Sequence, residues 1–184
     1  RTSHIWIILV DEQDGQEYTG WVIPESKYIF GLEPLYEKYQ IPIGAYVTVS
    51  KGETPDRVNI RFNTYKARIE WVRLMETRDD QFHFEEKQRS IGADYDDLMI
   101  LGIDDLEAMD EVIVKARKQK TLVGLLRMLL PGLGHMTPQG TAHFSTIYSA
   151  VNVVRRYPPG PIMVTLETNP DFEYVGGNYW KLGE

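Results

Sequence analysis

The sequence predicts an α+β protein, with a β-rich, barrel-like N-terminal domain at residues 1–100 and a three-helix C-terminal domain at residues 101–184 that ends in a β-hairpin. Two patterns predict this order. Between residues 5 and 84, apolar and polar residues alternate in short aromatic-rich runs, which is typical of half-buried strands. From Asp104 onward, apolar residues recur every three or four positions, which is typical of amphipathic helices.

Six strands and one helix are predicted in the N-terminal domain. The strands cover residues 5–10, 17–23, 46–50, 58–63, 66–74 and 81–84. Asp14-Gly15, between the first two strands, is a strong hairpin signal. The helix covers residues 32–39, where apolar side chains recur at helical spacing until Pro42 prevents further helix. Because such strands cannot bury their apolar faces alone, the sequence predicts a small barrel or a sheet closed over the helix.

The first two helices of the C-terminal domain have clear ends. Asp104 and Glu107 have the spacing of a capping box, and the first helix ends at residues 118–120. The second helix begins at Thr121 and carries five leucines before Pro131-Gly132 stops it. Both helices carry apolar residues at the spacing of a packed face.

The third predicted helix carries an apolar stripe. Thr137 or Thr141 caps it, and it runs to about Arg156, where the proline-rich run at residues 158–161 ends it. The stripe has residues at i, i+3, i+4, i+7 and i+10, so it must face a core. Its members are Phe144, Ile147, Tyr148, Val151 and Val154.

A second face of this helix predicts nucleic-acid binding. A row of short polar side chains that ends in arginine suits the major groove of DNA. We expect Ser145, Ser149 and Asn152 to lie nearest the base edges. Four cations are expected to hold phosphates, and they are Lys118, Lys120, Arg155 and Arg156. The predicted nucleic-acid-binding set adds two residues near the start of the helix, which are His143 and Thr146.

Three short apolar runs follow this helix, at residues 162–166, 172–175 and 179–182, and they are separated by turn residues. Three helices followed by a two- or three-stranded hairpin is the winged helix-turn-helix order. The motif Thr-Pro-Gln-Gly-Thr at residues 137–141 and the run Phe-Glu-Tyr-Val-Gly-Gly-Asn-Tyr-Trp-Lys-Leu at residues 172–182 carry the likeness.

These motifs resemble the winged-helix family that includes HARE-HTH domains and the delta subunit of bacterial RNA polymerase. The resemblance covers residues 104–182 and implies a bacterial regulatory protein that binds DNA. Residues 157–170 depart from the family pattern, because they are longer and richer in proline.

The N-terminal domain resembles, over shorter segments, the pseudobarrel DNA-binding domains of plant transcription factors. The segments are Asp14-Gly15, Trp21-Val22, Gly31-Leu32 and residues 42–47. Because this domain is acidic, a structural or partner-binding barrel is the simpler interpretation.

Charge is divided unevenly along the chain, although the total is −7. Residues 1–111 hold 12 Lys and Arg against 23 Asp and Glu, whereas residues 112–166 hold seven Lys and Arg and no acidic residue. Affinity for phosphates depends on the local field at the contact, since salt screens distant charges. The uneven charge therefore favours a phosphate-binding surface in the helical domain. A solvated basic helix face is the alternative.

Several other classes of protein are disfavoured by the composition. The chain has no cysteine, which excludes disulfides, thiolate zinc fingers and thiol nucleophiles and fits a cytoplasmic location. It has no run of 18 apolar residues, so we expect no membrane association. No glycine-rich phosphate loop and no histidine pair at metal spacing are present, so we expect no cofactor, no metal and no catalytic residues.

Two alternative functions remain open. In one, the helical domain is a protein–protein module whose basic face meets an acidic partner. In the other, the chain is a Mg²⁺-dependent nuclease, because Asp56 followed by Glu85 and Lys87 has the form of a metal-binding motif with a lysine that positions water. Residues 51–57 have the composition of an exposed turn, so a hairpin loop and a solvated charge run are the simpler interpretation.

Overall fold

The structure, a computed structural model, describes residues 4–25, 27–79, 81–119 and 121–183. These residues form ten strands and five helices. The strands are β1 (Ile5–Asp11), β2 (Glu17–Ile23), β3 (Tyr28–Phe30), β4 (Val47–Lys51), β5 (Arg57–Phe62), β6 (Thr64–Arg78), β7 (Gln81–Ala93), β8 (Ala142–His143), β9 (Phe172–Gly176) and β10 (Tyr179–Leu182). The helices are α1 (Glu33–Tyr39), α2 (Leu106–Gln119), α3 (Leu122–Gly134), α4 (Phe144–Val154) and α5 (Pro159–Thr168).

The chain divides into two compact units. Unit 1 comprises Arg1–Glu70 with Arg89–Asp96, and unit 2 comprises Trp71–Gln88 with Asp97–Glu184. The division falls within both β6 and β7, which pair with each other as a two-stranded sheet. The prediction divides the chain once, after residue 100. In the structure, Trp71–Gln88 also belongs to the unit that contains the C-terminal helices.

Unit 1 is built on a five-stranded sheet in the order β3-β2-β1-β5-β4. The predicted Asp14-Gly15 hairpin between β1 and β2 is confirmed, and Gly15 has a φ of 73°. β1 pairs in parallel with β5, so the intervening chain must cross over, and it includes α1. Buried side chains of the sheet and of α1 form one core, whose members are Ile7, Leu9, Leu35, Ile60 and Phe62.

Of the two predicted forms, a small barrel or a sheet closed over the helix, the closed barrel is wrong because this sheet is open, and Leu35 of α1 packs into the core of the sheet. Within the described residues, β3 and β4 each pair on one side only, and the sheet is a curled half-barrel. β3 is not predicted from the sequence, since three residues are too few to show alternation. β6 and β7 extend beyond the predicted strands at residues 66–74 and 81–84. In β7, the polar run at residues 85–90 interrupts the apolar alternation before the buried Ile91 and Ala93.

A buried carboxylate holds α1 against the end of β1. Asp11 is 1% exposed, and its Oδ2 accepts hydrogen bonds from Lys38 Nζ at 2.7 Å and from the Tyr39 hydroxyl at 2.6 Å. Its Oδ1 accepts from the backbone N–H of Gln13 at 3.0 Å. Burial, and then the hydrogen bond to Asp11, raises the pKa of Tyr39. The charge of Asp11 is therefore paired and hydrogen-bonded, as a buried charge must be.

Unit 2 combines α2–α5 with a three-stranded sheet in the order β8-β10-β9. The predicted helices at residues 104–120 and from Thr121 are confirmed as α2 and α3, although α3 continues through Pro131 to Gly134. All four helices and the sheet contribute to one core. Its fully enclosed members include Leu126, Leu129, Ile147, Val151 and Ile162.

The predicted three-helix winged-helix arrangement is wrong, because a fourth helix lies between α4 and the final hairpin. Residues 162–166, predicted as a strand, belong to α5. Pro159 and Pro161 begin this helix, because the first helical turn needs no N–H donors and suits the φ of proline. Ile162 and Leu166 lie one turn apart and are both 0% exposed, so α5 is fixed by helical packing.

Replacing Asp11 with alanine should destabilise unit 1 by about 2–4 kcal/mol, because it removes the buried acceptor of Lys38 and Tyr39. Asp14→Ala is the matched control. This variant removes the other carboxylate bound to Lys38. Because the Asp14 side chain is 46% exposed and water screens an exposed pair, the loss of stability should be far smaller. Urea unfolding of the two variants measures both values, and equal losses would contradict the role given to Asp11.

Candidate nucleic-acid interface

The N-cap of α4 is His143 and not one of the predicted caps, Thr137 or Thr141. Nδ1 of His143 accepts a hydrogen bond from the backbone N–H of Ser145 at 3.1 Å, so this histidine caps the helix. Thr137 closes the preceding turn instead, because its Oγ1 accepts from the backbone N–H of Thr141 at 2.9 Å. Nδ1 of His143 is therefore occupied within the protein.

Thr146 and Ser149 are buried in unit 2, with exposed fractions of 5% and 3%. The Thr146 hydroxyl donates to the carbonyl of Leu98 at 2.6 Å, and the Ser149 hydroxyl donates to the carbonyl of Met99 at 2.7 Å. A buried hydroxyl that is satisfied inside the protein cannot reach a DNA groove. The structure therefore places the hydroxyls of Thr146 and Ser149 inside unit 2, away from the surface that the predicted nucleic-acid contacts require.

The segment at residues 97–103 that receives these two bonds is also bound to β6. The backbone N–H of Met75 donates to the carbonyl of Gly102 at 2.9 Å, and the N–H of Gly102 donates to the carbonyl of Arg73 at 2.9 Å. Nη1 of Arg73 donates to the carbonyl of Ile100 at 3.1 Å, and burial lowers the pKa of Arg73. The 97–103 segment thus connects α4 to β6 within unit 2.

Asn152 closes the C-terminal end of α4. Its Nδ2 donates to the carbonyl of Tyr148 at 2.9 Å, and its Oδ1 accepts from the backbone N–H of Tyr157 at 3.1 Å. An asparagine that recognises adenine must use its amide N–H and its carbonyl together. Both groups of Asn152 are already engaged in holding the chain where it leaves the helix.

The part of α4 that is not fully buried holds both aromatic and polar side chains. Phe144 and Tyr148 are only partly buried, and their rings stack with centroids 6.4 Å apart. Ser145 is half-buried. The predicted apolar stripe is therefore only partly enclosed. Its other three members are 0% exposed, and they are Ile147, Val151 and Val154.

Arg155 and Arg156 directly follow α4 and are exposed. The Arg155 guanidinium lies 5.3 Å from the ring centroid of Tyr157. Within the described part of the chain, neither arginine has a carboxylate partner. Lys120 lies outside the described residues, and so does the side chain of Lys118. Of the four predicted phosphate contacts, the structure thus places two on the surface and leaves two undescribed.

The β9–β10 hairpin carries exposed side chains that the sequence prediction does not single out. Tyr174, Val175 and Tyr179 are 55%, 49% and 37% exposed. The turn at residues 176–178 has positive φ throughout, which suits its two glycines and asparagine. Residues 172–182 include four aromatic residues, and so short a hairpin cannot bury them all. This density of aromatic residues is the sequence signal that could have predicted an exposed aromatic surface here.

The residues of the alternative nuclease motif are engaged elsewhere. Glu85 lies 2.6 Å from Lys87 Nζ, and Lys87 also donates to Glu76 at 2.8 Å. Asp56 lies in unit 1, in the turn between β4 and β5, where a hydrogen bond from Thr54 lowers its pKa. Among the residues that the structure describes, no group of three or more His, Asp or Glu side chains is arranged to hold a metal ion.

Comparisons with family models, with curated proteins and with solved structures found no match. In the described parts of the chain, no helix combines the length and the apolarity needed to cross a membrane. A functional proposal for this chain therefore rests on the geometry and charge of its own residues.

Ser149→Ala should destabilise unit 2 by about 1–2 kcal/mol, because it removes a buried donor to the Met99 carbonyl. Ser145→Ala is the control on the same helix, and its half-buried side chain should cost less than about 0.5 kcal/mol. Thermal unfolding measures the difference. If Ser149→Ala leaves stability unchanged and weakens DNA binding, the buried position described for Ser149 is contradicted.

The stability of unit 2 should depend on pH through Glu76. Hydrogen bonds from Lys87, and then from Arg78, lower the pKa of Glu76 from 4.5 to about 2. The ionised carboxylate therefore stabilises the folded state above its ordinary pKa of 4.5, and this contribution is lost as the pH falls through about 2. Glu76→Gln should cost about 1 kcal/mol at pH 7 and flatten the pH dependence across that range. Urea midpoints at several pH values test this, with the exposed Glu167→Gln as a control that should follow the unmodified chain.

Proposed function

We propose that unit 2 binds nucleic acid, with duplex DNA as its ligand, through Arg155 and Arg156 at the end of α4. The observation that carries this proposal is the charge of residues 112–166, which include seven Lys and Arg and no acidic residue. Two of these cations, Arg155 and Arg156, are exposed and have no carboxylate partner within the described residues. A cytoplasmic location belongs to the same proposal.

Several other basic side chains of the described residues are neutralised by nearby acids. Arg127 is bound to Asp171, and Lys181 lies 3.0 Å from Glu173. The carboxylate of an ion pair neutralises part of the basic charge, and this costs the side chain part of its affinity for phosphate. Arg155 and Arg156 carry no such cost, so they should dominate the salt dependence of binding.

This interface should discriminate poorly between base sequences. The three side chains predicted to recognise bases are half-buried, buried or engaged in the helix end, and they are Ser145, Ser149 and Asn152. Contacts to phosphate position a protein on DNA but carry no sequence information. The proposal is therefore for a protein that recognises the DNA backbone.

A protein partner is the second candidate, and the β9–β10 hairpin favours it. Tyr174 and Val175 are about half exposed, and exposed aromatic groups are enriched where proteins bind one another. Under this alternative, Tyr174→Ser should abolish binding to the partner, and loss of the two arginines should matter little.

Arg155→Ala/Arg156→Ala should weaken binding to a random-sequence DNA duplex by about tenfold to a hundredfold at 0.1 M salt. It should also make the salt dependence shallower by about two units, one for each phosphate group that is no longer neutralised. Fluorescence anisotropy with a labelled duplex across a salt series measures both quantities.

The matched control for that experiment is Arg61→Ala/Arg68→Ala. It removes the same charge from exposed arginines of unit 1, with side chains 61% and 66% exposed. It should leave the affinity and the salt slope unchanged. If the two double variants lose affinity equally, general charge and not this surface carries the binding. If the unmodified chain does not bind duplex DNA at low salt, the proposal fails.

A further inference from the structure

Unit 2 contains a cleft of about 710 Å³ between the first residues of β7 and the helix α3. This volume is in the range of sites that hold small organic ligands. Strand and helix approach each other closely at Gly132, where an added Cβ atom would lie 2.9 Å from the ring of Phe84 and 3.2 Å from the carbonyl of Phe82. The glycine therefore lets the two walls of the cleft meet at that point.

The lining of the cleft has an apolar part and a basic part. Phe82, Phe84 and Met128 supply aromatic and thioether surface, which is suited to a flat ring. Arg127 and the two histidines His83 and His135 supply one permanent positive charge and two imidazoles. None of the described residues that line the cleft is acidic.

Arg127 can bind an anion while it keeps its present partner. Its Nε donates to Asp171 Oδ2 at 2.8 Å, and Nη2 donates to the same oxygen. A guanidinium has five N–H donors, so three remain. The Arg127 side chain is 54% exposed, and Asp171 is absent from the cleft lining. Asp171 therefore orients the guanidinium and also withdraws part of its charge.

We propose that this cleft binds a small organic anion with an aromatic body, which Arg127 holds by the anionic group and Phe82, Phe84 and Met128 contact by the ring. Charge complementarity selects an anion, because the α3 wall belongs to the stretch from residue 112 to residue 166 that has no acidic residue. The aromatic floor selects a ligand with a ring over an inorganic ion. This site is distinct from Arg155 and Arg156, and it does not depend on DNA binding.

The test compares two fluorescent probes with the same ring system. 8-Anilinonaphthalene-1-sulfonate carries an anionic group, and N-phenyl-1-naphthylamine lacks it. The unmodified chain should bind the sulfonate about tenfold more tightly than the neutral probe. Binding of the sulfonate should shift the methyl NMR signal of Met128, which reports that the probe occupies this cleft.

Two variants change the charge of the cleft in opposite directions. Arg127→Met should weaken sulfonate binding by about tenfold and leave the neutral probe unaffected. Asp171→Asn should strengthen sulfonate binding, because it releases the full charge of Arg127. Phe30→Ser is the control, since Phe30 lines the apolar pocket of unit 1 and should not alter the preference for the anion.

Three results would overturn this inference. They are equal affinity for both probes, equal sulfonate affinity in the unmodified chain and Arg127→Met, and a Met128 signal that does not shift on binding. Because Arg127→Met breaks a pair that Asp171→Asn also breaks, a loss caused by unfolding would appear in both variants. Opposite changes in the two variants can come only from the charge.

Discussion

Unit 2 depends on the 97–103 segment being held by α4 and by β6. The hydroxyls of Thr146 and Ser149 bind this segment, and the backbone of β6 binds it through Gly102. Each bond joins residues that lie far apart in the sequence, so its formation closes a long loop. The conformational entropy lost in closing these loops is compensated only when the whole unit packs. α4 is also enclosed by the apolar core of unit 2, in which Ile147 and Val151 are 0% exposed.

This enclosure decides which part of α4 and its surroundings can meet a ligand. A helix that is buried on most of its circumference cannot lie in a DNA groove and present a row of polar side chains to bases. What remains outside is the chain after the helix, with Arg155 and Arg156, together with the partly exposed Phe144 and Tyr148. Both the proposed recognition of phosphates and the expected lack of base selectivity follow from that geometry.

The sequence predicts local features well and long-range partners poorly. The Asp14-Gly15 hairpin and the start of α3 at Thr121 are confirmed, because both depend on a few adjacent residues. The strand predicted at residues 162–166 is wrong, because Pro159 and Pro161 are equally suited to a helix start, and only burial of Ile162 and Leu166 decides between them. The burial of Ser149 could not be predicted either, because the carbonyl that its hydroxyl binds is 50 residues away in the sequence. Among the predicted site residues whose side chains the structure describes, Arg155 and Arg156 alone are exposed, as a phosphate contact needs.

The proposed contact with nucleic acid is made by the arginines after α4 and not by the polar side chains of that helix. NMR titration of the ¹⁵N-labelled chain with a short DNA duplex tests this directly, because arginine Nε–H groups and the backbone amides of hydroxyl-bearing residues give separate signals. We expect the Nε–H signals of Arg155 and Arg156 to shift and broaden while the amides of Thr146 and Ser149 stay in place. Shifts at Thr146 and Ser149 without a change at the two arginines would contradict the proposal.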